Sequence, residues 1–214
     1  MKDVNGWIVP DFDRVIAKQC RLFPETHYQQ DILNWALFNI KNFNLAVDVG
    51  ANIGLHSVRF AQKFSQVESF EPFSINYECL KKNVSTFTNV NLHKKALGSI
   101  NKTETISLPK DLDNSGAVSF VDFQNSEREL IHESVEIKTL DDYELSPDLI
   151  KIDTQNYELE VLKGARNTLE KHKPVLIIEV GKGKPLQDIQ EYLNQFGYVM
   201  DGITNKDKGF RVIE

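Results

Sequence analysis

The chain has 214 residues, enough for one α/β domain with a sizeable core and a small appendage. Its 25 basic and 31 acidic side chains give a net charge of −6, which disfavours duplex nucleic acid, since such a partner requires a basic face. No apolar run approaches the length of a membrane span, and the first residues lack the apolar core of a signal peptide. With two cysteines, too few for a disulfide framework, a cytoplasmic protein is expected.

The first 43 residues are predicted to form an N-terminal extension or cap on a domain that covers residues 44–214. Residues 1–25, with prolines at 10 and 24, indicate irregular or β-like structure. Residues 26–41 carry apolar side chains at helical spacing, which predicts a helix that leads into the first strand of the domain.

Residues 45–54 are the most informative segment of the chain. A short apolar run ends at Asp48, turns through Gly50 and Gly54, and opens into a helical pattern over residues 55–65. This order predicts a strand, a tight turn and a helix N-terminus, which is where open α/β sheets hold nucleotide-like ligands. The dinucleotide fingerprint needs glycine where this chain has Asn52 and again where it has Leu55, so a pyrophosphate fits poorly.

A nucleoside that carries an amino acid fits this turn better, and S-adenosylmethionine is such a molecule. Asp48 can face its ammonium group, and N–H groups of the turn shaped by Gly50, Asn52 and Gly54 can meet its carboxylate. His56, in the first helical turn, is a further candidate contact, although residues at such positions commonly face solvent. The alternative is a turn whose glycines serve geometry alone.

A second strand over residues 66–72 supplies a partner for ribose. Glu71 stands at its end, where a carboxylate can accept hydrogen bonds from both ribose hydroxyls, and Pro72 ends the strand because it lacks a donor. An exposed carboxylate without a ligand is the alternative for Glu71. A helix over residues 74–87 and a third strand over residues 90–98 are predicted to follow.

Residues 99–138 interrupt the alternation of strands and helices. Short strands are predicted at residues 105–108, 117–121 and 134–138, around a turn at residues 113–116. This β-rich insertion either lies over the carboxyl edge of the sheet or forms a peripheral hairpin without function.

Regular alternation returns after the insertion, with strands at residues 148–153 and 174–180, helices at 158–172 and 185–196, and a hairpin of strands 198–203 and 210–213. Repeated βα units predict an α/β fold of the Rossmann-like class: a mostly parallel, seven-stranded sheet with an antiparallel C-terminal hairpin.

Four segments resemble the FkbM-type methyltransferases: Asp48–Gly54, Phe70–Pro72, Ile150–Ala165 and Leu176–Val180. The resemblance covers roughly residues 44–182 and implies transfer of a methyl group from S-adenosylmethionine, commonly to a hydroxyl of a sugar or small metabolite. This chain has Asn156 where the family usually has glycine and Gln155 where it often has glutamate. Asn tolerates a left-handed backbone, so the turn can survive, whereas the neutral Gln155 amide cannot act as a base.

Asp153 and Glu179 end two later strands, at the edge where such sheets bind ligands. Asp153 is the first candidate for a base that takes the acceptor's proton, and Glu179 is the second. Alternatively, Asp153 caps a turn and Glu179 is a structural carboxylate. Gln155 is placed beside the cofactor. No metal site is expected, and Lys182 and Lys184 are candidate attractors of an anionic acceptor.

The sequence therefore predicts a methyltransferase that acts on oxygen of a small-molecule or glycan acceptor, without a membrane or duplex nucleic acid partner. Two alternatives stay open. One is a module that binds S-adenosylmethionine without catalysis, and the other is a nicotinamide-dependent oxidoreductase, which the missing fingerprint glycines disfavour.

Overall fold

The computed structural model of the protein describes residues 1–22, 28–111, 113–118, 129–180, 186–204 and 206–213. Its main sheet has seven strands, in the spatial order β11 (Tyr198–Ile203), β12 (Asp207–Val212), β10 (Val175–Glu179), β9 (Leu149–Ile152), β3 (Leu45–Val49), β4 (Gln66–Phe70) and β5 (Val90–His93). The five strands from β10 to β5 are parallel, and β12 is antiparallel to both of its neighbours. The predicted Rossmann-like sheet and its antiparallel hairpin are thus confirmed.

The order of the strands reverses between β3 and β9. From β3 the chain continues outward to β4 and β5, whereas from β9 it continues to β10 on the other side. The ends of these two strands stay close, since the N–H of Asp153 donates to the carbonyl of Val49 at 3.0 Å. Ligands of open α/β sheets bind at the carboxyl ends beside such a reversal, so the topology alone places a candidate site here.

Helices cover both faces of the main sheet, which is why its strands are almost continuously apolar. Ala46 of β3 packs towards α2 (Gln30–Asn39) and α3 (Leu55–Ala61). Val47 packs towards the opposite layer, formed by α5 (Glu158–Lys163), α6 (Arg166–His172) and α7 (Leu186–Asn194). Because side chains alternate along a strand, Asp48 points to the α2 and α3 side.

The N-terminal segment corrects one expectation. Its β-like part is a hairpin of β1 (Lys2–Val4) and β2 (Trp7–Val9), which is fixed to α4 (Ser74–Asn83) by bonds between Ile8 and Asn83. Residues 15–22, expected to lack helix, form α1 (Val15–Leu22). Asp13 starts this helix by accepting the N–H of Ile16 at 2.7 Å, a capping signal that the prediction overlooked.

Two predicted elements are each divided in the structure. Residues 90–98 form β5 and a separate strand, β6 (Ala96–Leu97), which belongs to another sheet. Residues 158–172 form α5 and α6 rather than one helix. The division lies at Gly164, where a Cβ atom would stand 1.9 Å from the carbonyl oxygen of Gly98, so the backbones touch there.

The insertion forms a second sheet in the order β6, β8 (Leu130–Lys138) and β7 (Lys102–Pro109). Two of its three predicted strands are confirmed. The third predicted strand, at residues 117–121, is wrong for residues 117 and 118, because residue 117 ends a 3-10 helix (Ser115–Ala117) and residue 118 follows it. Residues 119–121 lie outside the described ranges. A second 3-10 helix (Leu140–Tyr143) precedes β9.

Candidate active site

A cleft opens at the carboxyl edge of the main sheet, where the strand order reverses. Seven of the ten predicted site residues line it: Gly50, Asn52, Glu71, Pro72, Asp153, Gln155 and Glu179. Its other walls come from α1 and from the insertion, through residues that include Gln19, Ile106, Ser115 and Val118. The described part of the insertion therefore reaches the cleft.

The turn after β3 forms the floor of the cleft. Gly50 has a φ of +72°, and a Cβ atom there would lie 1.9 Å from the carbonyl oxygen of Asp153, so no other residue fits. The N–H groups of Gly50 and Ala51 both donate to the carbonyl of Phe70 at 3.0 Å. Asn52 follows with a φ of +51°, in the left-handed region that Asn tolerates. Backbone geometry thus fixes the turn.

Glu71 is held beside this turn by two backbone donors. Its Oε2 accepts the N–H of Asn52 at 2.8 Å, and its Oε1 accepts the N–H of Phe73 at 2.9 Å. Burial raises the pKa of Glu71 to about 7, even though both hydrogen bonds favour the ionised form. Each oxygen keeps a free lone pair, so a buried but oriented acceptor faces the cleft.

Three predicted cofactor contacts lie behind the cleft instead of lining it. Asp48 is fully buried, and its Oδ2 accepts the hydroxyl of Ser57 at 2.6 Å. Gly54 has a φ of +94° and lies so close to α4 that a Cβ atom would stand 2.7 Å from Leu80 Cδ1. The structure thus gives both residues partners within the protein. For Asp48 the reason is that side chains alternate between the two faces of the sheet, and its own points to the layer of α2 and α3.

His56 is the third of these residues, and it does not face solvent. Its Nε2 lies 2.6 Å from Oε1 of Gln29, and its ring packs between those of Tyr28 and Phe60. Burial, followed by the charges of Lys151 and Arg59, lowers the pKa of His56 well below its ordinary value. His56 is therefore a neutral ring behind the wall that Tyr28 contributes to the cleft.

The opposite wall carries two interacting carboxyl groups. Asp153 directly follows β9 and Glu179 ends β10, so the two carboxyl groups lie at the ends of neighbouring strands. Burial and then the charge of Asp153 raise the pKa of Glu179 to about 7. Lys206 Nζ stands 3.6 Å from Glu179 Oε1, and Gln155 Nε2 donates to Asp153 Oδ1 at 3.1 Å. Both candidate bases thus line one cleft, and such a pair can exchange a proton near neutral pH.

The turn after Asp153 adopts the conformation that glycine usually supplies. Gln155 has a φ of +53° and Asn156 a φ of +81°. Glu158 supports this turn by accepting the N–H groups of Thr154 and Asn156 at 3.1 and 3.2 Å. The sequence expectation that Asn156 preserves the turn is therefore confirmed.

Two residues with polar contacts at the site were missed. Lys151 lies buried among Asp48, Asp153 and the carbonyl of Gly50. The sequence pattern that could have identified it is a lysine within an apolar, buried strand, because a buried lysine almost always has a partner. Tyr28 lines the cleft from the segment before α2, and nothing in the sequence marked it. Lys182 and Lys184 lie outside the described residues.

Other possible features are absent from the described ranges. They contain no group of three or more His, Cys, Asp or Glu side chains arranged to hold a metal ion. Within the same ranges, no helix combines the length and apolar character that crossing a bilayer demands. Cys20 and Cys79 are buried, free thiols in the core, as expected for Cys79.

Comparison with known proteins identifies the relatives of this chain. The family model for the methyltransferase FkbM domain matches residues 48–200. The chain is also 28% identical, over 179 residues, to the hexuronic acid methyltransferase AglP of Haloferax volcanii; the match covers 78% of this chain and 68% of that protein.

Two solved methyltransferase structures share the fold of this chain. The FkbM methyltransferase of Methylobacillus flagellatus superposes with a TM-score of 0.57 at 18% identity, covering 97% of this chain. This chain spans only 56% of the length of that structure. A ribosomal protein L11 methylase from Lactobacillus delbrueckii gives a TM-score of 0.54 at 13% identity, covering 86% of this chain and 78% of that one. At such identities the likeness concerns the fold.

Proposed function

The chain belongs to the FkbM family of methyltransferases, and we propose that it transfers the methyl group of S-adenosylmethionine to a hydroxyl of a sugar or small metabolite. One observation carries the proposal. A single cleft at the strand reversal has an oriented carboxylate, Glu71, on one side and the Asp153–Glu179 pair on the other. The first suits a ribose, and the second suits an acceptor that must lose a proton.

The residues on the cofactor side fit S-adenosylmethionine. Gly50 lets the turn pack against the carbonyl of Asp153, and the free lone pairs of Glu71 can accept both ribose hydroxyls. Pro72 adds an apolar surface beside Glu71, which suits the adenine ring. The turn has Asn52 and Leu55 where the dinucleotide fingerprint has glycine, which supports this ligand over a dinucleotide.

On the acceptor side, proton removal is the task left to the protein. S-adenosylmethionine supplies a methyl group on a sulfonium, which is already a good leaving group. The protein must therefore position the acceptor oxygen and take its proton. Asp153 lines the cleft and can accept this proton, while Glu179, with its pKa near 7, can share it.

The sugar class of acceptor is supported by the relative from Haloferax volcanii, whose name gives a hexuronic acid as its substrate. Lys95 and Lys206 also line this cleft. Their ammonium groups could attract a carboxylate or phosphate carried by a sugar. We therefore infer that acidic sugars are the first acceptors to test.

Calorimetry with S-adenosylmethionine and with NAD tests the cofactor, and mass spectrometry tests methyl transfer to pools of neutral sugars, acidic sugars, nucleotides and peptides. We expect binding of S-adenosylmethionine and a gain of one methyl mass on a sugar. Binding of NAD alone would overturn the proposal. Binding without turnover on any pool would favour a module that lacks catalysis.

A further inference from the structure

Lys151 is a buried ammonium group between the two sides of the cleft. It sits within β9, and only 5% of the residue is exposed. The Nζ atom donates to the carbonyl of Gly50 at 3.0 Å and lies 3.3 Å from Asp48 Oδ1 and 3.9 Å from Asp153 Oδ2. Its partners therefore belong to the cofactor turn, to the layer behind it and to the acceptor wall.

Strand register explains this position. Lys151 pairs with Asp48 across the β3–β9 ladder and with Ile177 across the β9–β10 ladder. Its side chain therefore lies on the same sheet face as Asp48 and, two residues along β9, Asp153. An ammonium group has three donors and no acceptor, so it can join three such groups at once.

We propose that Lys151 is a positioning residue that ties the cofactor turn to the acceptor wall and keeps Asp153 ionised, so that Glu179 holds the proton of the pair. The inference rests on the proposed methyl transfer and assigns the two acids different roles. Asp153 becomes the group that receives the acceptor's proton, and Glu179 becomes its protonated neighbour.

The charges around Lys151 support this assignment. Burial alone would lower the pKa of Lys151, but Asp48, Asp153, Glu179 and Tyr28 together raise it above its ordinary value, so the ammonium stays charged. It acts in turn on Glu179, whose pKa it lowers after the larger effects of burial, Asp153 and Lys206. The other charged or titratable groups that sense Lys151 are His56, Glu71 and Asp207.

The competing explanation is that Lys151 only neutralises the buried charge of Asp48. A lone Lys151→Met substitution does not separate the two, since it leaves Asp48 buried and uncompensated and could unfold the protein. The double variant Lys151→Met with Asp48→Asn removes both charges, and the carbonyl oxygen of the new amide at position 48 would still accept the Ser57 hydroxyl.

The test is a carbon-13 NMR titration of side-chain carboxyls in the full chain, with Asp153→Asn and Glu179→Gln variants to assign the two signals. In the unsubstituted protein we expect the signal that titrates near pH 7 to be that of Glu179 alone. In the double variant, which lacks the ammonium beside Asp153, we expect the two signals to titrate together, because neither acid is then favoured as the ionised one. Two signals that already titrate together in the unsubstituted protein, or a Glu179 signal that still titrates alone in the double variant, would overturn the proposal.

The titration of the unsubstituted protein requires no substitution of Lys151 or Asp48, so its result stands even if the double variant does not fold. Calorimetry with S-adenosylmethionine on the same samples separates this inference from the proposed function. Absence of binding by the unsubstituted protein would reject the methyl donor, whereas the titrations report on Lys151 independently of any ligand.

Discussion

The two sides of the cleft are built from different kinds of interaction. On the cofactor side, backbone N–H groups hold the site: Asn52 and Phe73 donate to Glu71, and Gly50 donates to the carbonyl of Phe70. On the proposed acceptor side, charged side chains face each other: Lys151 Nζ stands 3.9 Å from Asp153 Oδ2, and Lys206 Nζ stands 3.6 Å from Glu179 Oε1.

Because the two sides are held by different interactions, they differ in how readily their chemistry can change. Backbone donors stay in place through most substitutions, so the cofactor side is a fixed frame whose shape depends on glycine and on left-handed residues. Side-chain charges respond to pH and to single substitutions. The acceptor side is therefore where relatives with one fold can differ in substrate. Single substitutions on each side test whether backbone geometry and side-chain charge play these separate roles.

Gly50→Ala should have the largest effect, because its Cβ atom would stand 1.9 Å from the carbonyl of Asp153 at a φ of +72°. We expect a loss of roughly 3 kcal/mol or more in the free energy of unfolding, measured in urea, since strain and overpacking combine. Gly197→Ala is the matched control, with a φ of +81° and open space around it, and should cost only about 1 kcal/mol. Equal losses in both variants would show that the close approach is unimportant.

Asp153→Asn should reduce kcat by about 10²–10⁴-fold while the affinity for S-adenosylmethionine changes little, because the amide cannot take a proton. Asp148→Asn is the control on the other end of β9, where Asp148 accepts the N–H groups of Asn44 and Leu45. It should leave the rate nearly unchanged. A weakened cofactor affinity in Asp153→Asn, measured by calorimetry, would contradict the division of the cleft into two sides.

Glu71→Gln should show the opposite pattern, with S-adenosylmethionine affinity reduced about 10- to 100-fold, since a charged acceptor of two hydroxyls is lost. Calorimetry measures this loss, and Glu133→Gln, which alters an acceptor of the Ser74 N–H outside the cleft, is the control. A fall in kcat at saturating cofactor, with the affinity for S-adenosylmethionine intact, would show that Glu71 acts on the acceptor side and does not bind the cofactor.

The pH dependence of the same residue gives a second test. Since burial raises the pKa of Glu71 from 4.5 to about 7, S-adenosylmethionine affinity should increase as the pH rises through 7. In the absence of ligand, the stability of the fold follows the opposite trend with pH. The unfolded chain ionises first, so the Glu71 contribution to stability falls between about pH 4.5 and 7. Glu71→Gln should remove both trends in calorimetry and in urea unfolding.

Asp13→Ala should have the smallest effect on the site. Asp13 joins α1 to the insertion by accepting the Ser115 N–H at 2.7 Å and hydroxyl at 2.6 Å, and both segments line the cleft. Losing it should cost about 1–3 kcal/mol of stability and speed cofactor release several-fold, because a buried N–H is left without a partner. Stopped-flow dissociation measures the rate. Asp3→Ala, which removes an exposed bond to Gly6, should change neither quantity.

Much of the fold and the cofactor side could be predicted from the sequence because both depend on local patterns. Alternation of apolar strands and helices predicted the seven-stranded sheet, and the spacing of Gly50 and Glu71 predicted neighbours in one cleft. Failures came where long-range contact overrides local pattern. Gly164 divides a predicted helix because it packs on Gly98, far away in the chain.

By itself, the sequence determined the sheet, the turn after β3 and the two acids at the ends of β9 and β10, because strand period and glycine spacing are properties of neighbouring residues. Only the tertiary structure decided which polar side chains face the cleft. Strand register turned Asp48 away from the cleft towards Ser57 and brought Lys151 between Gly50 and Asp153. Strand register and burial depend on contacts between residues that are distant in sequence, so a pattern of neighbouring residues does not predict them.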